Sequence, residues 1–222
     1  AQVARTASRP IPSGRVSKKQ SLVFMLLQAL VGLICLLALC RIGQPSFNVF
    51  ALVLGIGSLA IVACYPFAKR ITDWPQLVLG LAFSWGALMG GAVVFASLTP
   101  TAIALYVGSI LWVIGYDTIY AHQDKEDDAL VGVRSTARLF GQRTKPALLL
   151  LYSSAALLFA LALMLSQAGW PAWVALIAGF VHMLWQIRML DINDGDNCLA
   201  LFQSNTRFGW IVFVGLVADW LL

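Results

Sequence analysis

The sequence predicts an all-α protein, a multi-span transmembrane helical bundle, and three observations predict it. The chain is 60% hydrophobic and only 11% charged, with a mean hydropathy of +0.83, whereas an ordinary soluble domain carries about 25% charged residues. Apolar runs long enough to approach or cross a bilayer core of about 30 Å recur along the whole chain. The charges between those runs fall almost entirely into alternate loops, as they do when a chain crosses a membrane repeatedly.

The runs number seven, at 22–40, 47–64, 77–96, 103–120, 147–165, 173–190 and 208–222. Backbone polar groups in lipid are satisfied only in helices or closed barrels. Barrel strands span about ten residues with alternating polarity. These runs are longer and continuously apolar, so each is read as a helix. Within the third, Gly86 and Gly90 form a G-x-x-x-G, whose small residues predict close approach of a neighbouring helix. Several of the eight Trp lie near run ends, as an interfacial belt requires.

One set of loops carries Arg5, Arg9, Arg15, Lys18, Lys19, Lys69, Arg70, Lys125, Arg134, Arg138, Arg143, Lys145, Arg188 and Arg207, and the opposite set carries Arg41 alone. The positive-inside rule puts the first set in the cytoplasm, or in the matrix of a mitochondrion. The net charge of +5 is therefore read as an orientation signal in a lipid bilayer and not as a nucleic-acid footprint. Nearly all the acids share that basic side: Asp73, Asp124, Glu126, Asp127, Asp128, Asp191, Asp194 and Asp196, with Asp117 at the inner end of a span. The four cysteines form no C-x-x-C pair and are read as small packing residues. The first twenty residues are basic, rich in Pro, Ser and Gly, and lack an apolar signal-peptide core. They read as the interior of a longer protein.

The stretch from Tyr116 to Gly141, YDTIYAHQDKEDDALVGVRSTARLFG, starts inside a span and runs into the inner loop. If the helix continues, Asp117, Tyr120, Asp124 and Asp128 stand at i, i+3, i+7 and i+11, on one face. Three carboxylates on one face repel one another unless cations bind there. An Asp-x-x-x-Asp at a membrane boundary offers hard oxygen ligands for Mg²⁺, which favours one or two carboxylates plus phosphate oxygens and water. Arg and Lys nearby supply charge-assisted hydrogen bonds to a diphosphate. By spacing alone, a solvated acidic loop paired with Lys125 and Arg134 explains 124–128 as well. Asp117 favours the functional reading, because an acid near the end of a span marks a functional site by default.

At these residues the chain resembles the UbiA-type prenyltransferases. Asp117, Tyr120, Asp124 and Asp128 match the family's second aspartate-rich motif, D-x-x-Y-x-x-x-D-x-x-x-D. The wording YDTIYAHQDKEDD, followed by G-x-x-S-T-A-R-x-F-G at Gly132 to Gly141, is similar to the branch that acts on 4-hydroxybenzoate. R-T-x-x-R-P-I-P-S-G at Arg5 to Gly14, Y-P-x-x-K-R at Tyr65 to Arg70, and Phe202, Asn205 and Gly209 extend the resemblance along the whole chain. The family has nine helices and two such motifs, against seven runs and one motif here. The resemblance therefore implies one domain over 1–222 that lacks the first two helices, with the first motif lying before Ala1, so that half the metal site is present.

The resemblance implies transfer of a polyprenyl group from polyprenyl diphosphate to the ring of 4-hydroxybenzoate, in ubiquinone biosynthesis, with Mg²⁺ as cofactor. It assigns Asp124 and Asp128 to the metal and Asp117 to the aromatic acceptor. It gives Arg5, Arg9, Lys69, Arg70 and Arg134 to the diphosphate or the benzoate carboxylate, and Tyr120 to the pocket wall. The setting it implies is a bacterial inner membrane, with a mitochondrial inner membrane as the alternative, and the site on the cytoplasmic or matrix face. The open alternatives are another aromatic acceptor such as homogentisate or dihydroxynaphthoate, a proton-coupled transporter using the intramembrane acids, and a non-catalytic membrane subunit. Asp191 to Asp196 lacks the spacing and terminal Glu of a calcium loop and reads as a solvated turn. His182 reads as a packed ring, and His122 stands one step off the carboxylate face.

Overall fold

Most helices begin where the sequence supplies a cap or a proline. The computed structural model describes residues 9–42, 46–125 and 132–222, without the side chains of Lys69 and Asp124. Among them, α1 (Lys18–Leu39) opens on a capping box, Ser17 and Gln20 bonding each other's backbone N–H. Helix α2 (Val49–Ile71) is capped by Asn48, whose Oδ1 accepts from Ala51 N at 2.9 Å. Prolines at the first turn start α3 (Pro75–Phe83), α5 (Pro100–Ala121) and α8 (Trp170–Met189), where the missing N–H costs nothing. Helix α4 (Trp85–Phe95) continues α3 beyond a break at Ser84. The short α6 (Thr136–Phe140) is capped by Ser135 and α9 (Gly195–Gln203) by Asp194. Helices α7 (Thr144–Leu165) and α10 (Asn205–Leu221) complete the set.

Among the described residues, six segments are long and apolar enough to cross a membrane: Lys18–Leu39, Val49–Ala68, Pro75–Phe95, Pro100–Ala121, Thr136–Leu165 and Trp170–Met189. The seventh apolar run is α10, whose 17 residues give about 26 Å at 1.5 Å per residue, just short of the bilayer core. The chain runs up and down, so the ends bearing the basic residues gather on one side. The break at Ser84 frees backbone carbonyls inside the third span, and Tyr106 donates to one of them, Leu81 O, at 3.1 Å. Trp85 Nε1, just past the break, donates to Leu54 O of α2 at 3.1 Å.

The main core lies where α5, α7, α8 and α10 meet, around Ile119, Leu148, Tyr152, Phe159, Leu176, Met183 and Phe208. Lipid tails are as apolar as Leu, so tight packing and small residues hold such helices together. The closest seam is α5 on α7. A Cβ on Gly108 would lie 2.9 Å from the Phe159 ring, and one on Gly115 would lie 2.3 Å from the Tyr152 ring. The two steps are seven residues apart on both helices, two turns of each, running antiparallel. The close approach expected at Gly86 and Gly90 is not seen: a Cβ on either meets nothing within 4 Å among the described residues. Neighbouring Gly91, against Ala102 at 2.9 Å, takes that role. Helix α1 has no buried residue and touches α2 alone to any extent.

The seam gives a test. Tyr152 is fully buried, so its ring cannot swing aside for a methyl group. Gly115→Ala should lower stability by about 1–3 kcal/mol through overpacking, read as a lower melting temperature in detergent. Gly86→Ala, in open space, should leave it unchanged.

Candidate active site at the inner end of α5

Helix α5 carries an aromatic stripe, Trp112, Tyr116 and Tyr120, at i, i+4 and i+8, which stacks down one face. Trp112 meets Tyr116 edge-on at 5.1 Å and Phe208 at 4.6 Å, and Phe202 of α9 packs against both Tyr116 (5.6 Å) and Tyr120 (4.5 Å). Trp112 Nε1 donates to Asn205 Oδ1 at 3.0 Å. The Asn205 amide donates in turn to Leu201 O and Phe202 O, so this clasp ties α5 to the junction of α9 and α10.

Asp117 and Tyr120 lie half-buried on the last turns of α5. The Asp117 carboxylate acts electrostatically on Tyr116 beside it and on Tyr65 of α2, which also senses Tyr120. The structure thus brings together Asp117, Tyr120 and the first residue of the Tyr65–Arg70 motif. Sequence reasoning singled out the cations of that motif and passed over Tyr65 itself. It also missed Trp112, Tyr116 and the Phe202 contact, although the four-residue aromatic spacing was there to be read.

Beyond Ala121 the α-helix is interrupted, and Lys125 is helical again. Residues His122–Asp124 form a 3-10 turn, with 3.0 rather than 3.6 residues per turn. Asp117 and Asp124 are therefore not separated by two whole α-helical turns, as a continuing helix would have it. The turn is held on both sides. His122, buried, sits with Nε2 3.0 Å from Thr144 Oγ1 of α7, and the Thr144 hydroxyl donates to Gly141 O at 2.7 Å. On the other side α9 begins against Gln123, whose Cα lies 3.8 Å from the place of a Gly195 Cβ. The segment Asp191–Cys198 seats this end: Asp191 Oδ1 accepts from Asn193 N, and the Cys198 thiol donates to Asp191 O. Burial, with the carboxylates of Asp194 and Asp191, pushes that thiol up to about 11 against the opposing pull of Lys125.

The inner loops close over this end through buried polar bonds. Gln76 Oε1 accepts from Thr136 N at 3.1 Å, and Thr136 Oγ1 lies 2.6 Å from Thr118 Oγ1. The Thr118 proton goes to Ile114 O, so Thr136 is the donor of that pair. Arg134 donates to Ile71 O at 3.3 Å and faces Asp73 at 3.8 Å, joining the α2–α3 turn to the segment before α6. Arg70 and Arg9 are exposed, Arg9 in the turn that precedes α1. Arg5 and Asp128 fall outside the described residues, as do the side chains of Lys69 and Asp124.

On the far side of Trp112 lies an apolar cavity of about 370 Å³ between α5, α7, α8 and α10. Trp112, Phe159, Leu176 and Phe208 line its inner part, and Thr101, Ser166 and Leu216 line the end towards the opposite face. An acid-bearing, wet helix end and a dry cavity therefore meet across one aromatic residue.

Residues 1–214 match the family described as the UbiA prenyltransferase family. The protein called 4-hydroxybenzoate polyprenyltransferase, mitochondrial, is 46% identical in Bos taurus and 45% in Homo sapiens, each over 97% of this chain and 56% of the relative. Its counterpart in Arabidopsis thaliana is 42% identical over 97% of this chain and 51% of the relative. The chain thus spans about half the length of the curated relatives it matches. Among solved structures, the apo form of a UbiA homolog from Aeropyrum pernix K1 superposes with a TM-score of 0.79 at 25% identity, over 97% of this chain and 78% of that one. A digeranylgeranylglyceryl phosphate synthase shares the fold, with a TM-score of 0.66 at 18% identity over 97% of this chain and 75% of that one.

Burial, aided by the charge of Lys125, holds the His122 imidazole down at about 4. The folded protein keeps the ring neutral, while the unfolded chain binds a proton below about 6.5. Stability should therefore be complete above pH 6.5 and fall as the pH drops from there towards 4. Melting temperatures in detergent across that range should show the slope, and His122→Gln should flatten it.

Proposed function

The chain belongs to the UbiA prenyltransferase family, and on that premise we propose that the protein transfers a polyprenyl group from polyprenyl diphosphate to the ring of 4-hydroxybenzoate, in ubiquinone biosynthesis. We read residues 1–222 as one domain of this type. The observation that carries the proposal is the meeting, at Trp112, of the acid-bearing end of α5 with an apolar cavity. A polyprenyl diphosphate is a long apolar tail ending in several negative charges, and it needs both environments within reach of one carbon. The choice of acceptor rests on relatives at 42–46% identity.

The donor set fits Mg²⁺. Asp124 and Asp128 supply hard carboxylate oxygens, and a diphosphate supplies the rest, the arrangement this ion favours. Among the described residues no group of three or more His, Cys, Asp or Glu could hold a metal; Asp128 and the Asp124 side chain lie outside them. When bound, the ion neutralises charge developing on the departing diphosphate. The chain's own part is positioning and electrostatics. Arg5, Arg9, Lys69 and Arg70 hold the diphosphate or the benzoate carboxylate through charge-assisted hydrogen bonds. Arg134, from its place beside Asp73, supports the α2–α3 turn that follows Lys69 and Arg70. Asp117 orients the acceptor hydroxyl, and Tyr120 and Tyr116 wall the pocket. The C1–O bond of the allylic diphosphate breaks, its electron pair leaving with the diphosphate. The ring carbon beside the acceptor hydroxyl bonds to C1, and loss of that carbon's proton restores aromaticity.

The basic face is the cytoplasmic or matrix face. The curated relatives cited carry "mitochondrial" in their names, which favours the mitochondrial inner membrane over a bacterial one.

Membranes containing the complete protein, given 4-hydroxybenzoate, a polyprenyl diphosphate and Mg²⁺, should yield prenylated 4-hydroxybenzoate, and EDTA should abolish it. Asp124→Asn should lower turnover at least 100-fold, by the scale of a lost electrostatic contact to a developing charge, with membrane insertion unchanged. Product that persists in EDTA, or near-normal turnover in that variant, would overturn the metal assignment. Absence of product in a folded, inserted protein would turn attention to other aromatic acceptors and then to transport.

A further inference from the structure

The α5–α7 seam has a third step. Gly108 faces Phe159, and Gly115, seven residues on, faces Tyr152. Seven residues further stands His122, and it faces Thr144. The first two steps are a glycine under an aromatic ring. The third is a polar pair, sealed from water, with Thr144 fully buried and His122 6% exposed.

A buried polar pair adds less than good packing unless its hydrogen bonds specify a geometry. Here the bonds have one direction. The Thr144 hydroxyl spends its proton on Gly141 O, so it must accept from His122, and Nε2 carries the imidazole proton. Nδ1 is left buried and, among the described residues, without a partner. The result is a relay, His122 to Thr144 to Gly141 O, ending on a glycine at φ +49°. It joins the last turn of α5 to the turn that opens α7. The joint falls where α5 tightens into the 3-10 turn that ends at Asp124.

We propose that His122 is a positioning residue: through Thr144 it fixes the path of the backbone that presents Asp124 to the metal–diphosphate group. The proposal rests on the magnesium reading given above. A helix end frays readily, and a ligand on a frayed turn would be presented in many orientations. Outer-shell hydrogen bonds that orient ligands typically change metal affinity 10–100-fold, and this backbone clamp should act on the same scale.

The test is binding of Mn²⁺–diphosphate to the purified complete protein, followed by Mn²⁺ electron paramagnetic resonance, with the metal-free melting temperature recorded for every variant. His122→Ala and Thr144→Val should each weaken binding by about 10–100-fold, and the double variant no further, since both break one relay. His122→Gln places an amide donor where Nε2 stands, and Thr144→Ser keeps the hydroxyl. Both should bind within a few-fold of wild type. If His122→Ala does not fold, the contrast between Thr144→Val and Thr144→Ser decides alone. Unchanged affinity in the variants that lack the relay, with only a lower melting temperature, would overturn the inference and leave His122 a packing residue. A wild-type protein that binds no Mn²⁺–diphosphate would overturn the magnesium reading, and this inference with it.

Discussion

The antiparallel seam between α5 and α7 is the contact on which the rest of the molecule depends. In a bilayer the hydrophobic effect gives two apolar helices no reason to pair, because lipid serves each as well as the other. Dispersion between closely fitted surfaces must supply the preference, and it decays over a fraction of an ångström. Gly108 and Gly115 lower the surface of α5 so that the rings of Phe159 and Tyr152 lie against it. Both helices repeat the fit after seven residues, which fixes rotation and axial register together. A shift of one residue would drive the Tyr152 ring into a side chain. Helix α8 then packs on α7, α10 on α8, and α3 on α5.

Register at the seam becomes position at the basic end. With α5 held, Thr118 stands under Thr136, and Thr136 takes the Gln76 carbonyl oxygen of α3. The three meet inside the fold, where an unpaired amide or hydroxyl would cost about 1–3 kcal/mol. Gln186 likewise carries α8 to Leu201 O and Ser204, and the Trp112–Asn205 bond closes α5 against the α9–α10 junction. Directional bonds thus take over where the helices leave the region of pure packing. Asp117, near the end of α5, inherits its place from rings that face Gly115 and Gly108, about 3 and about 14 Å further into the bundle by the rise of 1.5 Å per residue.

The sequence made the spans legible because they follow from composition, from length in apolar residues. Asp117 and Tyr120 could be singled out because an acid at a span end is costly without a use, and the fold places both half-buried on the last turns of α5. Other features were not legible. The 3-10 interruption after Ala121 is invisible in a motif whose spacing suits an unbroken helix, and His122 ties it to α7. The glycines at Gly86 and Gly90 matched a packing pattern, yet face open space, while Gly108 and Gly115 matched a seven-residue spacing that went unsought. A glycine pattern states that a close approach is possible, and only the partner's ring decides where it happens. Arg134 shows the same limit: charge alone cannot say that its nearest anion is Asp73, sixty-one positions back along the chain.

The chemistry proposed for this fold sets two demands that oppose each other. A diphosphate needs cations and water, and a prenyl tail needs neither. A site at the bilayer midplane would strand the phosphates, and a site on a surface loop would strand the tail. The end of a transmembrane helix satisfies both, provided that the helix ends at a defined height. Here the height is fixed twice, by rings below in the seam with α7 and by the buried His122–Thr144 bond at the rim. Trp112 lies two turns inward from the last residues of α5, with its indole N–H engaged by Asn205 and its ring on Phe208. Its outer edge lines the dry cavity, and its inner edge meets Tyr116 on the acid side. A side chain held at that boundary by a hydrogen bond and by two rings cannot move without opening one environment to the other. The partition between wet and dry is therefore a property of the helix register, built in before any substrate arrives.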